Sequence, residues 1–376
     1  MIHLGEKIKE NCIFCGEKVK EKTREHVIPK WLIELTGPKK REIPISYFNE
    51  KGIKNLTIPF DKFSFPSCAK CNHQYSDLES STKNIVLHIL GEKKLDANDF
   101  DTLLHWFDKV RIGLWIGALI ISGNPLDISP RFYIKNRVNL SDRALFIYKI
   151  NDIKLPHLSF YGVNTPAFYS TPSVFGIFIN NFYFVSISDA FLFSDKLGFP
   201  YPKKHMFSNG ETYPKEFECG SHQINNNLFS IKYFDKCTEI YQTIIPNELI
   251  KEISNHCDMS YVNLMRQKNV FTDFKIYIKT SNQLNPYPLK KSHEWRPKEG
   301  NSLLKVNDIF KMVLKMQKYV IQRGIEKTIF PNEQKDEKIK YLRLLMKVND
   351  KLMKKNEIIK DPDNKNRYHS RGFKNT

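Results

Sequence analysis

Two Cys-x-x-Cys pairs, Cys12-Ile13-Phe14-Cys15 and Cys68-Ala69-Lys70-Cys71, frame the N-terminal part of the chain, and Asn72 follows the second pair directly. Each pair can present two thiolates to one ion, so the two together can complete a tetrahedral site of the kind structural zinc takes. Identical spacing in both pairs, with Gly16 just after the first, fits a ligand set better than four unrelated thiols. The stretch between the pairs is much longer than the roughly 15–20 residues of a common zinc ribbon. The ion is therefore expected to clamp the base of an inserted unit. Inside that unit lies Glu25-His26. A carboxylate, an imidazole and the Asn72 amide are the groups that metal-assisted phosphodiester hydrolysis uses: an acceptor for the proton of water, and oxygen donors that leave a cation with open positions.

The string Arg24-Glu25-His26-Val27-Ile28-Pro29-Lys30-Trp31-Leu32, set between those pairs, resembles the HNH nuclease family. Glu25-His26 together with Cys68-x-x-Cys71-Asn72 looks like its endonuclease VII-type branch, with a ββα-metal fold. The resemblance implies that Cys12, Cys15, Cys68 and Cys71 hold a structural Zn2+. It further implies that Glu25 and Asn72 are ligands of a catalytic Mg2+ or Mn2+, and that His26 is the general base. Glu25 stands where many members of the family have Asp. Its extra methylene means that the metal must shift or the backbone must compensate. The insertion between His26 and Cys68 is long, and the middle Asn of the family name has two candidates, Asn49 and Asn55. Glu25 to Leu32, with Leu78-Glu79 and Leu104 to Val110, also resembles bacterial HNH proteins with a larger C-terminal part. Only the first 80 residues carry motif-grade signal.

Under that resemblance the reaction is hydrolysis of DNA phosphodiester bonds. The metal stabilises the leaving 3′-oxygen, and a neutral His26 takes the water proton near neutral pH. Arg24, Lys30, Lys70 and His73 lie beside the motif and are candidates for contacting nucleic-acid phosphates; each also fits a solvated surface side chain. Trp31, followed by Leu32 and Leu35, fits a helix core better than a base-stacking platform. A zinc module that binds nucleic acid without cutting it is the alternative, as is an effector nuclease, toxin or anti-phage, switched by the downstream residues. Restriction, homing and repair roles fit the same residues equally.

The formal net charge is +18. A charge this positive points to a polyanionic partner, either nucleic acid or an anionic membrane surface, although a lysine-rich solvated surface gives the same number; under the resemblance the partner is DNA. Residues 301–376 carry 19 Lys and Arg against 9 Asp and Glu, more than half of that excess. Their Lys-rich helices also suit self-association. The longest apolar run, Ile112–Ser122, is too short to span a bilayer, and the first residues have no signal-peptide core. A reducing, cytoplasmic setting is expected, where spaced cysteines bind metal more than they form disulfides. Cys219, Cys237 and Cys257 stand outside the paired pattern and read as plain thiols.

Hydrophobic residues at 41%, 13% of the chain being aromatic, supply well-packed cores and exclude a disordered chain. The expected class is α+β, in three parts: a zinc-stabilised nuclease domain (1–92), a mixed helix and strand domain (93–299) and a basic helical region with a disordered tail (300–376). Asn11 to Pro29 reads as a zinc knuckle running into a strand, and Ile43–Phe65 as hairpin-like. Helical spacing begins after Cys71 and stops near Gly91; a second helix spans about Asp96–Ser122, apolar nearly all round in its second half and so buried. Short strands are expected at 132–134, 144–148 and 158–161. Runs 173–179 and 182–187 flank Asn180-Asn181, which suits a tight hairpin. Residues 199–227, rich in Pro, Gly, Asn and His, are expected as loops, and helices as the main content of 300–358. No internal repeat is evident.

Overall fold

The computed structural model describes residues 10–21, 23–49, 52–122, 134–136, 141–197, 199–208, 211–221, 237–243, 276–280, 283–287, 300 and 303–355. The expected tail (361–376), Cys257 and part of the 199–227 segment lie outside the described residues. The class is mixed α+β, as expected.

The N-terminal unit has two short strands, β1 (Thr23–His26) and β4 (Ser64–Ser67), paired antiparallel with Glu25 opposite Phe65 and His26 opposite Ser64. A hairpin of β2 (Glu42–Asn49) and β3 (Gly52–Pro59) is inserted between them as a sheet of its own. Both Asn49 and Asn55 fall on that hairpin. Helix α1 (Lys30–Leu35) follows β1, and α2 (Ala69–Leu90) starts immediately after β4, with Cys68 as its N-cap and Gly91 as its C-cap.

Next comes α3 (Ala97–Ser122), buried along nearly its whole described length. Its Gly113 and Gly117 share one face, four residues apart. A Cβ at Gly113 would meet Val27 at 3.0 Å; one at Gly117 would meet Phe63 Cε2 at 2.9 Å and Phe65 Cε2 at 3.1 Å. Two missing side chains thus let the helix backbone lie directly against the end of β1 and against β4.

On its other side α3 covers a seven-stranded antiparallel sheet of order β13-β12-β11-β5-β8-β7-β6. Its strands are β5 (Asp142–Lys149), β6 (Leu158–Tyr161), β7 (Val174–Ile179), β8 (Phe182–Asp189), β11 (Thr238–Gln242), β12 (Ile276–Thr280) and β13 (Gln283–Tyr287). The β7–β8 hairpin turns at Asn180-Asn181, and Asn180 takes the expected left-handed conformation at φ 53°. Alternation splits β5 cleanly. Leu145 and Ile147 join the core shared with α3, whereas Ala144, Phe146 and Tyr148 join a second core on the opposite face. That second core is closed by α5 (Leu303–Lys327) through Ile309, Met312, Val313 and Met316. Burial on both faces explains why these strands read as unbroken apolar runs. Helix α6 (Asn332–Lys355) packs on α5 and on the short α4 (Pro166–Ser170) through Leu345, Ile321 and Ala167.

Two expectations are corrected. Residues 200–219 are not loop: β9 (Pro200–Ser208) and β10 (Glu211–Cys219) form an antiparallel ladder, joined at His205 and Met206 by the two-residue β14 (Thr328–Ile329). Proline is tolerated there because Pro200 opens its strand, Pro214 lies on an edge strand, and Pro202 has a partner on one side only. Ile134 lies in a 3₁₀ turn, not a strand, and its N–H donates to the Ile13 carbonyl. The core also runs without a break across residue 92. Cys12, Val27, Phe63 and Ile85 belong to one apolar cluster with Trp106, Leu114, Phe175 and Phe184.

Candidate metal centre

The first cysteine pair sits in a tight knuckle. Cys12 N–H donates to the Glu17 carbonyl, Gly16 N–H returns to Cys12, and Gly16 adopts φ 81°, which suits a residue without Cβ. Ile13 N–H bonds to the Pro66 carbonyl and so ties the knuckle to β4. The second pair brackets the N-terminus of α2, where Asn72 N–H donates to the Cys68 carbonyl at 2.9 Å. Phe14 stacks on Tyr75 of α2 with ring centroids 4.0 Å apart and 11° between planes, closing the cluster on one side.

The four sulfurs come together as expected, all within 4.8 Å of one another. Cys15 Sγ and Cys68 Sγ are 3.9 Å apart. A tetrahedron with metal–sulfur bonds of about 2.3 Å has its sulfurs about 3.8 Å apart, so the cluster fits one such ion. Burial and the neighbouring sulfurs push the Cys71 thiol up. At Cys68 burial also pushes upward, but hydrogen bonds from the Cys71 backbone and the other cysteines leave the thiol below its usual value. Thiols this close cannot all ionise without a cation among them.

Glu25 is buried on β1, while Arg24 before it is exposed and His26 at the strand end is half-buried. The Glu25 carboxylate meets Lys109 Nζ at 2.5 Å. Lys109 comes from α3, is 1% exposed at its side chain, and pairs also with Glu79 of α2. Glu79 in turn accepts hydrogen bonds from two indoles, Trp31 Nε1 at 2.7 Å and Trp106 Nε1 at 3.1 Å. Burial raises the Glu25 carboxyl above its ordinary value against the opposing pull of Lys109. At Lys109 burial works the other way, but Glu79 and Glu25 overcome it and keep the ammonium charged.

Asn72 is half-buried in the first turn of α2, and Ser67 Oγ lies 3.5 Å from its Oδ1. Ser67 is paired with Thr23, and their hydroxyls are 3.1 Å apart. Cross-strand partners point to one face, and residues two apart share it, so Thr23, Ser67, Glu25 and Phe65 line the same side of the strand pair. Asn72 thus meets, through Ser67, the face of the strand pair that carries Glu25. The Asn72 amide and the Glu25 carboxylate are both hard oxygen donors suited to Mg2+ or Mn2+. Arg24, Lys30, Lys70 and His73 are all exposed. Arg24 is partly engaged, since its Nε and Nη2 donate to Ser64 Oγ and the Ser64 carbonyl.

Sequence reasoning did not single out Lys109 or assign a role to Glu79. The signal was there: a lysine inside a helix that is apolar nearly all round must find a buried counter-charge. Trp31 is core along its ring, 6.0 Å from Trp106, but its N–H serves the polar cluster. A second buried set, Asp108 with Arg111 at 2.9 Å and Arg143 at 3.4 Å, ties α3 to β5. No helix is long and apolar enough to cross a membrane among the described residues. Comparison with models of known families, with curated proteins and with solved structures finds no match to this chain.

Proposed function

We propose that the chain is a metal-dependent endonuclease of the HNH type that hydrolyses DNA phosphodiester bonds. The observation that carries the reading is the unit β1–β4–α2. A four-cysteine cluster sits at its base, and a buried carboxylate, a strand-end imidazole and a helix-start amide are all supplied by that unit.

Cys12, Cys15, Cys68 and Cys71 would hold a structural Zn2+, fixing the knuckle to the start of α2. Glu25 and Asn72 would hold a divalent Mg2+ or Mn2+, which when bound neutralises phosphate charge and stabilises the leaving oxygen. His26, half-buried and next to Glu25, accepts the proton of the attacking water. Arg24, Lys30, Lys70 and His73, exposed and close to the motif in sequence, draw the phosphate backbone in. The exposed lysines of α6 add non-specific phosphate attraction and raise affinity without sequence preference.

A binding module without cleavage has one observation in its favour: an oxygen of Glu25 is already held by Lys109. Incubating the chain with plasmid, single-stranded DNA, branched DNA and RNA, each with Mg2+ or Mn2+, separates the two. Metal-dependent nicking of DNA supports the nuclease. Retention of DNA with no nicking under any metal supports the binding module.

A further inference from the structure

We infer that Lys109 is a positioning residue for the divalent-metal site, pinning one oxygen of Glu25 so that the other is presented in a fixed direction. The inference rests on the nuclease reading given above.

The polar cluster is built from one end. Trp31 on α1 and Trp106 on α3 both donate to Glu79 on α2, so three helices fix that carboxylate. Glu79 holds the Lys109 ammonium, and the ammonium holds Glu25 Oε1 at 2.5 Å. Glu25 is the single member of the set on a strand, and it stands at the end of the relay next to His26. Burying an ammonium is costly unless partners compensate. An apolar helix face would not carry this lysine for packing alone.

The relay also answers the question raised by Glu25 standing where the resembled family often has Asp. The extra methylene adds a rotatable bond, and freezing such freedom has an entropic cost. A salt bridge to an immobile ammonium restricts the longer side chain before any metal arrives. Two carboxylates against one ammonium leave the cluster with a net negative charge, which favours a dication beside Glu25. Because Lys109 rides on α3, the wall of the seven-stranded sheet is coupled to the carboxylate.

A purely structural role would make Lys109 no more than the counter-charge of Glu79. Two variants of the full, zinc-loaded chain separate the possibilities: Lys109→Met, and Lys109→Met combined with Glu79→Gln, which restores the cluster's original net charge. Mn2+ affinity is read by electron paramagnetic resonance, with melting temperature and the Mn2+ dependence of plasmid nicking measured alongside. The expected result is at least a ten-fold loss of Mn2+ affinity in both variants, with the melting temperature recovered in the double variant. Recovery of Mn2+ affinity together with stability in the double variant would overturn the inference, as would wild-type affinity in Lys109→Met. Wild-type chain that binds Mn2+ but cuts no nucleic acid would refute the nuclease reading alone, and the Mn2+ comparison would still decide the role of Lys109. Wild-type chain that binds no Mn2+ beyond its zinc would refute both.

Discussion

Substituting Gly117 by alanine tests the seam between α3 and the strand pair that carries Glu25. The new methyl would stand 2.9 Å from Phe63 Cε2 and 3.1 Å from Phe65 Cε2, with Phe63 Cζ closer still. Carbon atoms settle near 3.5–4.0 Å, so the rings or the helix must move. Both rings are buried in the common core and pack edge to face on one another, 5.3 Å between centroids, which leaves them little room. Overpacking of this kind costs about 1–3 kcal/mol. Replacing Gly by Ala inside a helix returns roughly 1 kcal/mol. The expected net loss is about 0–2 kcal/mol, a fall in melting temperature of at most a few degrees. Gly113→Ala is the internal control. Its methyl meets a single side chain, Val27, at 3.0 Å and 3.4 Å, a milder crowding that the roughly 1 kcal/mol of helix propensity offsets in large part. Because Phe65 lies opposite Glu25 across the strand pair, Gly117→Ala should also slow nicking, whereas Gly113→Ala should not. Differential scanning calorimetry with a parallel nicking assay reads both. A Gly117→Ala chain that melts higher than wild type would refute the close seam.

Other consequences follow from the same geometry. Cys68→Ser removes one sulfur of the cluster while keeping a residue able to cap α2, since Cys68 makes no side-chain capping hydrogen bond; bound zinc should fall from about one per chain to near zero by atomic absorption, with a lower melting temperature. His205 is held down to about 4 from an ordinary 6.5 by burial and by the nearby cations Arg323 and Lys327. Its contribution to stability is therefore present above the unfolded value and is lost as pH falls from about 6.5 towards 4, at up to about 1.4 kcal/mol per pH unit. His205→Gln should flatten the dependence of urea-unfolding midpoints between pH 6.5 and pH 4.5; an unchanged slope would contradict the assignment. Replacing the exposed lysines Lys335, Lys340, Lys347 and Lys351 of α6 by Gln should weaken DNA binding and reduce the salt slope by about 0.9 for each phosphate no longer neutralised, with equal slopes pointing to a merely solvated surface. Deleting residues 301–376 is the poorer test, because Met312, Val313 and Met316 of α5 are fully buried in the second core.

What could be read from the sequence was local. The two Cys-x-x-Cys pairs announced their cluster through spacing alone, the apolar run in α3 announced burial, and Asn180-Asn181 announced a hairpin. What could not be read depends on partners far apart in the chain. Glu25, Glu79 and Lys109 meet only because α3 crosses the strand pair, and nothing near Glu25 names its lysine. The expected boundary at residue 92 follows the cysteine frame and the helix stop at Gly91; Val27, Phe63 and Gly117 pack in one interior that extends over that position. The β9–β10 ladder was hidden by its prolines, which signal turns in a sequence but are harmless on a short, one-sided sheet.

The proposed nuclease activity turns most directly on His26. His26→Ala, zinc-loaded and compared with wild type on supercoiled plasmid in Mn2+ or Mg2+, should lose nicking by at least about 100-fold, the usual scale of a general base. Its zinc content, melting temperature and DNA affinity should stay at the wild-type level. Nicking by the purified variant at the wild-type rate would contradict the central claim.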